Sequence, residues 1–236
     1  MKFDIVFMFT ALKEALKYTP ITLILAIVPL IVGIFIGTLV AVGRLFKIKI
    51  LARVLQILVV TIKGIPLVLQ IIIINFAVIQ PVDFLSEKLK WSFASKDIDR
   101  IYIVIIAMSI FSVVNISETI RGALISVDKG QYEAAYSVGL SKTQALRRII
   151  LPQALPVAVP SLCNNFIGLI KGSSLAFVIS VTDLMNGALI TATSNYRYLE
   201  AYVASAIVYW VICIVIEKSS VILEKHLKVY KREEVF

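Results

Sequence analysis

The polar side chains that could do chemistry in this sequence sit inside apolar runs. Gln70, Ser112, Asn115, Asn164, Asn165 and Lys171 each lie within a stretch rich in Ile, Leu, Val, Ala and Phe. An amide offers both donors and acceptors, as a ligand bearing an ammonium and a carboxylate requires. A lysine adds a cation that can meet a carboxylate or snorkel outward along its own stem. Polar groups at membrane depth are costly, so they mark a pathway or a helix–helix contact. Bond-making chemistry finds no support in the pattern. The single histidine, His226, is near the C-terminus, and neither HExxH, paired intramembrane aspartates nor a GxxxxGK[ST] phosphate loop occurs. Cys163 and Cys213 lie in apolar runs and read as small buried hydrophobes, without metal spacing or a disulfide framework.

Composition says what must position these groups. Of 236 residues, 59% are hydrophobic and 17% charged, with a mean hydropathy of +0.93. Soluble domains carry roughly 25% charged residues, so the expectation is one all-α membrane domain over residues 1–236. The net charge of +9 does not point to nucleic acid, because the Lys and Arg residues flank apolar runs in short blocks, where they set orientation. A span needs about 20 apolar residues. Five segments qualify, at about 19–42, 56–79, 101–120, 156–180 and 201–221. Residues 1–18 are expected to form a separate amphipathic helix at an interface. With charges through its apolar stretch and no small-residue cleavage site, that segment is not a signal peptide.

The loops fix an expected orientation. The loop after the first span holds Arg44, Lys47, Lys49 and Arg53 without an acid, and the one after the third holds Arg121, Lys129, Lys142, Arg147 and Arg148. The loops after the second and fourth spans are balanced or nearly uncharged. The positive-inside rule then places the N-terminus outside, and the C-terminal tail with the third-to-fourth loop in the cytoplasm. Within the second span, Pro66 predicts a kink or break, and Gln70 one turn later either contacts a ligand or makes an interhelical hydrogen bond. Ser112 and Asn115 are expected to line a cavity, and Glu118 and Arg121 to pair locally at i, i+3. In the fourth span Ser161, Asn164, Asn165, Gly168, Lys171, Gly172 and Leu175 are expected to share one stripe.

The longest polar-rich interruption is Glu133 to Pro152, EAAYSVGLSKTQALRRIILP. Ala134, Ala135, Val138, Leu140, Ala145, Leu146, Ile149 and Ile150 recur at spacings of three and four. That is one apolar face on a short helix or helix pair, broken at Gly139. It lies either on lipid headgroups or against a partner.

Glu133-Ala134-Ala135, Gly139, Ile149 and Leu151-Pro152 resemble, at matching spacing, the EAA loop of bacterial ABC importer permeases. Lys63 to Gln70, KGIPLVLQ, is similar to the RGTPLLVQ segment of polar amino acid permeases. Ser117 to Gly122, then Ser126-Val127 and Lys129-Gly130-Gln131, is similar to their AEIxRGGIxSVxxGQ run, and Asn164 to Leu175, NNFIGLIKGSSL, to NxxIxLxKxTSL. The resemblance implies a five-span permease of the type I importer kind in a bacterial cell membrane. It implies that Glu133, Ala134, Ala135 and Gly139 belong to a cytoplasmic coupling helix docked on a separate ATP-binding subunit. That subunit would hold ATP and Mg, so this chain needs no cofactor and is not an enzyme. The other implied partners are a second permease chain, identical or closely related, an extracellular solute-binding protein, and an amino acid substrate. Many relatives carry an acid where Asn165 stands and a tyrosine where Asn115 stands. Lys63 and Ile65 replace the usual arginine and threonine. A missing carboxylate at Asn165 favours a neutral polar substrate such as glutamine or cystine. The rival readings are an ion-coupled secondary transporter, an intramembrane enzyme and a non-transporting scaffold.

Overall fold

The computed structural model describes residues 3–45 and 49–227, and every regular element among them is helical. In chain order they are α1 (Ile5–Leu45), α2 (Lys49–Lys63), α3 (Leu67–Leu89), α4 (Arg100–Ile125), α5 (Lys129–Ser137), α6 (Lys142–Ala145), α7 (Leu151–Gly172), α8 (Leu184–Thr191) and α9 (Tyr198–Leu227). A π-helical turn, Leu146–Ile150, joins α6 to α7, a 3₁₀ turn, Ser95–Asp97, precedes α4, and another, Ser173–Ile179, extends α7. Among the described residues, five helical stretches are long and apolar enough to cross a membrane. The expected five-span, all-α architecture is the one observed.

The separate helix expected over residues 1–18 does not form. From Ile5 the chain runs without interruption into the first span. No glycine stands between Ile5 and Val32 to break it, and Ala11 and Ala15 are buried against Leu184, Ala188, Ala201 and Ala204 of α8 and α9. At 1.5 Å per residue α1 is about 60 Å long, twice the roughly 30 Å hydrocarbon core. Much of its inner stripe is small: Ala26, Gly33, Gly37 and Ala41 are all buried. A β-carbon on Gly37 would stand 2.9 Å from the carbonyl oxygen of Val113 and 3.1 Å from the amide of Ser117, so α4 crosses here in near backbone contact.

The second expected span is divided. Residues 56–63 end α2, the chain breaks at Gly64-Ile65-Pro66, and α3 carries the membrane-crossing length. Proline alone does not break a helix here, since α1 runs through Pro20 and Pro29, and at this break Gly64 weakens the helix as well. Asp99 opens α4 by accepting a hydrogen bond from the amide of Ile101 at 2.9 Å. The main core joins Leu25 of α1, Ile71 of α3, Val104 and Met108 of α4, and Leu169 and Ile170 of α7. Cys163 and Cys213 are half-buried free thiols. Lys47 and the tail residues 228–236, which complete the charge pattern in the sequence, lie outside the described residues.

Candidate functional site

The loop between α4 and α7 is built by turn chemistry that its own residues dictate. The Asp128 carboxylate caps α5, accepting from the Gly130 amide at 2.7 Å. The helix ends where Gly139 takes a left-handed φ of +79°. There the Gly139 amide donates to Tyr136 O at 3.0 Å and the Leu140 amide to Ala135 O at 3.0 Å. Ser141 and Gln144 then form a reciprocal capping box that restarts the chain as α6. The loop has two faces. Ala135, Ala145 and Ile150 are buried, and Ile150 packs with Leu124, Val127 and Ala154. Glu133, Ala134, Tyr136, Val138 and Gly139 are exposed, Val138 by 77%. The Tyr132 hydroxyl donates to Leu124 O at 3.3 Å, and its burial raises the phenol above its ordinary pKa. Beside this loop lies a cavity of about 680 Å³, lined by Asp128, Gln131, Arg148, Pro152, Gln153 and Val157 among others. The Gln153 amide donates across its wall to Gln131 Oε1 at 3.1 Å.

The fourth-span stripe separates into two faces. Gln153, Val157, Ser161, Asn164, Gly168 and Lys171 are exposed along one side of α7. Asn165 turns inward, its amide donating to Thr119 Oγ1 on α4 at 3.0 Å and to Ser161 O at 2.8 Å. Gly172 and Leu175 also point inward, and a β-carbon at Gly172 would lie 2.9 Å from Leu67 of α3. Expecting all seven on one stripe was therefore too broad, because a 3.6-residue period separates neighbours such as Asn164 and Asn165 by 100°. Asn115 is half-buried and donates to Phe111 O at 2.9 Å; Thr119, which receives Asn165, in turn donates to Asn115 O at 3.1 Å. Ser112 does not line a cavity. It is buried where α4 meets α1, and a β-carbon on Gly33 would be 2.2 Å from its Oγ. Gln70 is buried at the α2–α3 break, its amide donating to Ile62 O at 3.1 Å and Ile65 O at 2.8 Å. It caps carbonyls that the break releases. Gln70 Oε1 and Ser112 Oγ have no partner among the described residues.

Residues 30–229 match the family described as "Binding-protein-dependent transport system inner membrane component". The chain belongs to this family. It is 34% identical over 233 residues to the "Probable amino-acid ABC transporter permease protein PatM" of Vibrio harveyi, covering 98% of this chain and 100% of that one. It is 33% identical over 211 residues to the "L-cystine transport system permease protein TcyL" of Bacillus subtilis (strain 168), covering 89% and 86%. The solved structure "Crystal structure of an amino acid ABC transporter with histidines" aligns with a TM-score of 0.80 at 27% identity, over 96% of this chain and 100% of that one. Family membership makes this chain a multi-pass inner-membrane permease, not itself catalytic, and sets the ion-coupled alternative aside.

Three features of the permease went unread in the sequence. Gly33 and Gly37 show the small-xxx-small spacing that would have placed the α1–α4 contact. Asp183, fully buried, caps α8 through the Asn186 amide at 3.0 Å and accepts from the Tyr209 hydroxyl at 2.8 Å, while Thr22 of α1 accepts from the Leu184 amide at 3.0 Å. Burial holds the Asp183 carboxyl above the usual carboxylate range, against the pull of its hydrogen bonds. The third is Arg44. The expected Glu118–Arg121 pair forms, at 2.9 Å, but Glu118 also holds Arg44 at 2.6 Å, from 74 positions away.

Proposed function

We propose that this permease imports a neutral polar amino acid, driven by ATP hydrolysis on a separate subunit that docks on Glu133–Pro152. The observation that carries the reading is the two-faced loop. Its buried side locks it to the ends of α4 and α7, while Glu133, Ala134, Tyr136 and Val138 stand clear on a rigid, doubly capped support. A surface that is both exposed and stiffly tied to two spans can pass a push from a partner into the membrane. Packed helices move between discrete arrangements rather than deform smoothly, so the spans switch from outward- to inward-facing. ATP and Mg belong to the docked subunit, because this chain has no phosphate loop.

The exposed polar face of α7 supports a second permease chain. Ser161, Asn164, Gly168 and Lys171 against lipid would be costly. Against another copy, or a close relative, they would instead border a water-accessible path between the two chains. An extracellular solute-binding protein would deliver the amino acid to its outer mouth. Loop charge supports an N-terminus outside and a cytoplasmic C-terminus. The cystine and glutamine permeases among the relatives support a neutral substrate.

The test is uptake into proteoliposomes holding the permease, its ATP-binding subunit and the solute-binding protein, with amino acid competition. ATP-dependent uptake competed by glutamine or cystine is expected, and Asn164→Ala, on the exposed face of α7, should shift the preference. Uptake driven by an ion gradient without the ATP-binding subunit would overturn the proposal.

A further inference from the structure

The coupling loop is packed against α1, α4 and α7, but the break that frees backbone carbonyls lies elsewhere, between α2 and α3. Val42 and Leu45 of α1 pack with Ile120, Ala123, Leu124, Ile150 and Ala154, so the inner ends of α1, α4 and α7 form one apolar body with the loop. The helix α2 stands outside that body. Of its described side chains only Val59 is buried, while Leu51, Val54, Ile57, Leu58 and Val60 are exposed. A loosely packed helix of this kind does not follow a moving neighbour through core packing alone.

Besides the packing of Leu55 on Gly43, one charged side chain of α1 reaches α2. Arg44, in the last turn of α1, is 6% exposed. One arm of its guanidinium donates to Glu118 Oε1 at 2.6 Å, and the other donates to Gln56 Oε1 on α2. Glu118 is itself fixed from behind, its Oε2 accepting from Arg121 Nε at 3.1 Å and Nη2 at 2.9 Å. The planar fork of arginine reaches two acceptors at fixed angles, which a lysine cannot do. Leu55 lies against Gly43 beside the fork, where a β-carbon on the glycine would come to 3.4 Å.

We propose that Arg44 is a positioning residue of transport: it ties α2 to the coupling body and carries the displacement of the loop to the Gly64–Pro66 break. The inference rests on the ATP-driven reading above. Gln70, whose amide closes the carbonyls of Ile62 and Ile65, then registers that displacement at the break.

The experiment compares Gln56→Leu and Arg44→Lys with wild type in proteoliposomes containing the complete complex. Gln56 is exposed, so its replacement leaves the core intact. Both variants are expected to assemble at wild-type yield and hydrolyse ATP at close to the wild-type rate, yet import about tenfold less substrate per ATP. Spin labels on Val60→Cys and Ile125→Cys should report an ATP-dependent distance change that both variants lose. Wild-type import per ATP with an unchanged distance response overturns the proposal. So does a parallel fall of uptake, hydrolysis and folded yield, which a purely structural role would produce. If the wild-type complex shows no ATP-driven uptake, the docking reading itself fails, and that result is separate from the behaviour of the variants.

Discussion

Glu133 stands exposed on α5 with Ala134 beside it and Ala135 buried beneath. Reversing its charge leaves the seat intact and alters only what meets the partner. Glu133→Lys is expected to insert normally and to bind the ATP-binding subunit at least about tenfold more weakly, read by co-purification. Asp183 makes the opposite kind of prediction, because it is buried. Tyr209→Phe removes the donor to its Oδ2 and should cost about 1–3 kcal/mol, seen as a lower unfolding temperature in detergent. The pH dependence has a definite sign. Burial raises the Asp183 carboxyl, so the folded state favours its protonated form. Its stabilising contribution is full below the ordinary carboxylate range and is lost as pH rises through the raised value. Thermal stability is expected to decline over that rise, and Asp183→Asn should flatten the decline.

Among the elements, α1 and α4 depend on closeness. At Gly37 the atoms a β-carbon would meet belong to the backbone of α4, which cannot rotate aside. Gly37→Ala is expected to cost about 1–3 kcal/mol, measured by thermal unfolding, and more than Gly122→Ala, where a β-carbon would meet nothing within 4 Å. The short helices between α4 and α7 obey local rules that are partly legible in the sequence. Gly139 specifies the turn, but of the apolar positions expected on one face Ala134 and Val138 are exposed, and Ala135, Ala145 and Ile150 form the seated side. The run of α1 back to Ile5 was not legible, because the small side chains of α8 and α9 that bury Ala11 and Ala15 come from the far end of the chain.

At the scale of the molecule, the described ion pairs other than Glu14–Lys17 of α1 form two groups. Arg44, Glu118 and Arg121 cluster near the loop between α4 and α7, while Asp4, Arg197 and Glu200 join the start of α1 to the start of α9. In intact cells, Val138→Cys is expected to react with a membrane-permeant maleimide and to resist an impermeant one. Labelling by the impermeant reagent would invert the orientation and remove the loop from the ATP-bearing side.

The sequence by itself determined the five spans, the break at Pro66 and the turn at Gly139. Each depends on hydrophobic length, on a missing amide hydrogen or on a permitted φ, and these act within a few residues. Only the tertiary structure decided that Asn164 faces outward while Asn165 reaches Thr119, that Ser112 abuts Gly33, and that Arg44 grips Glu118 and Gln56. Periodicity assigns residues to a face of a helix. Which neighbour that face meets is settled by packing among segments far apart in the chain.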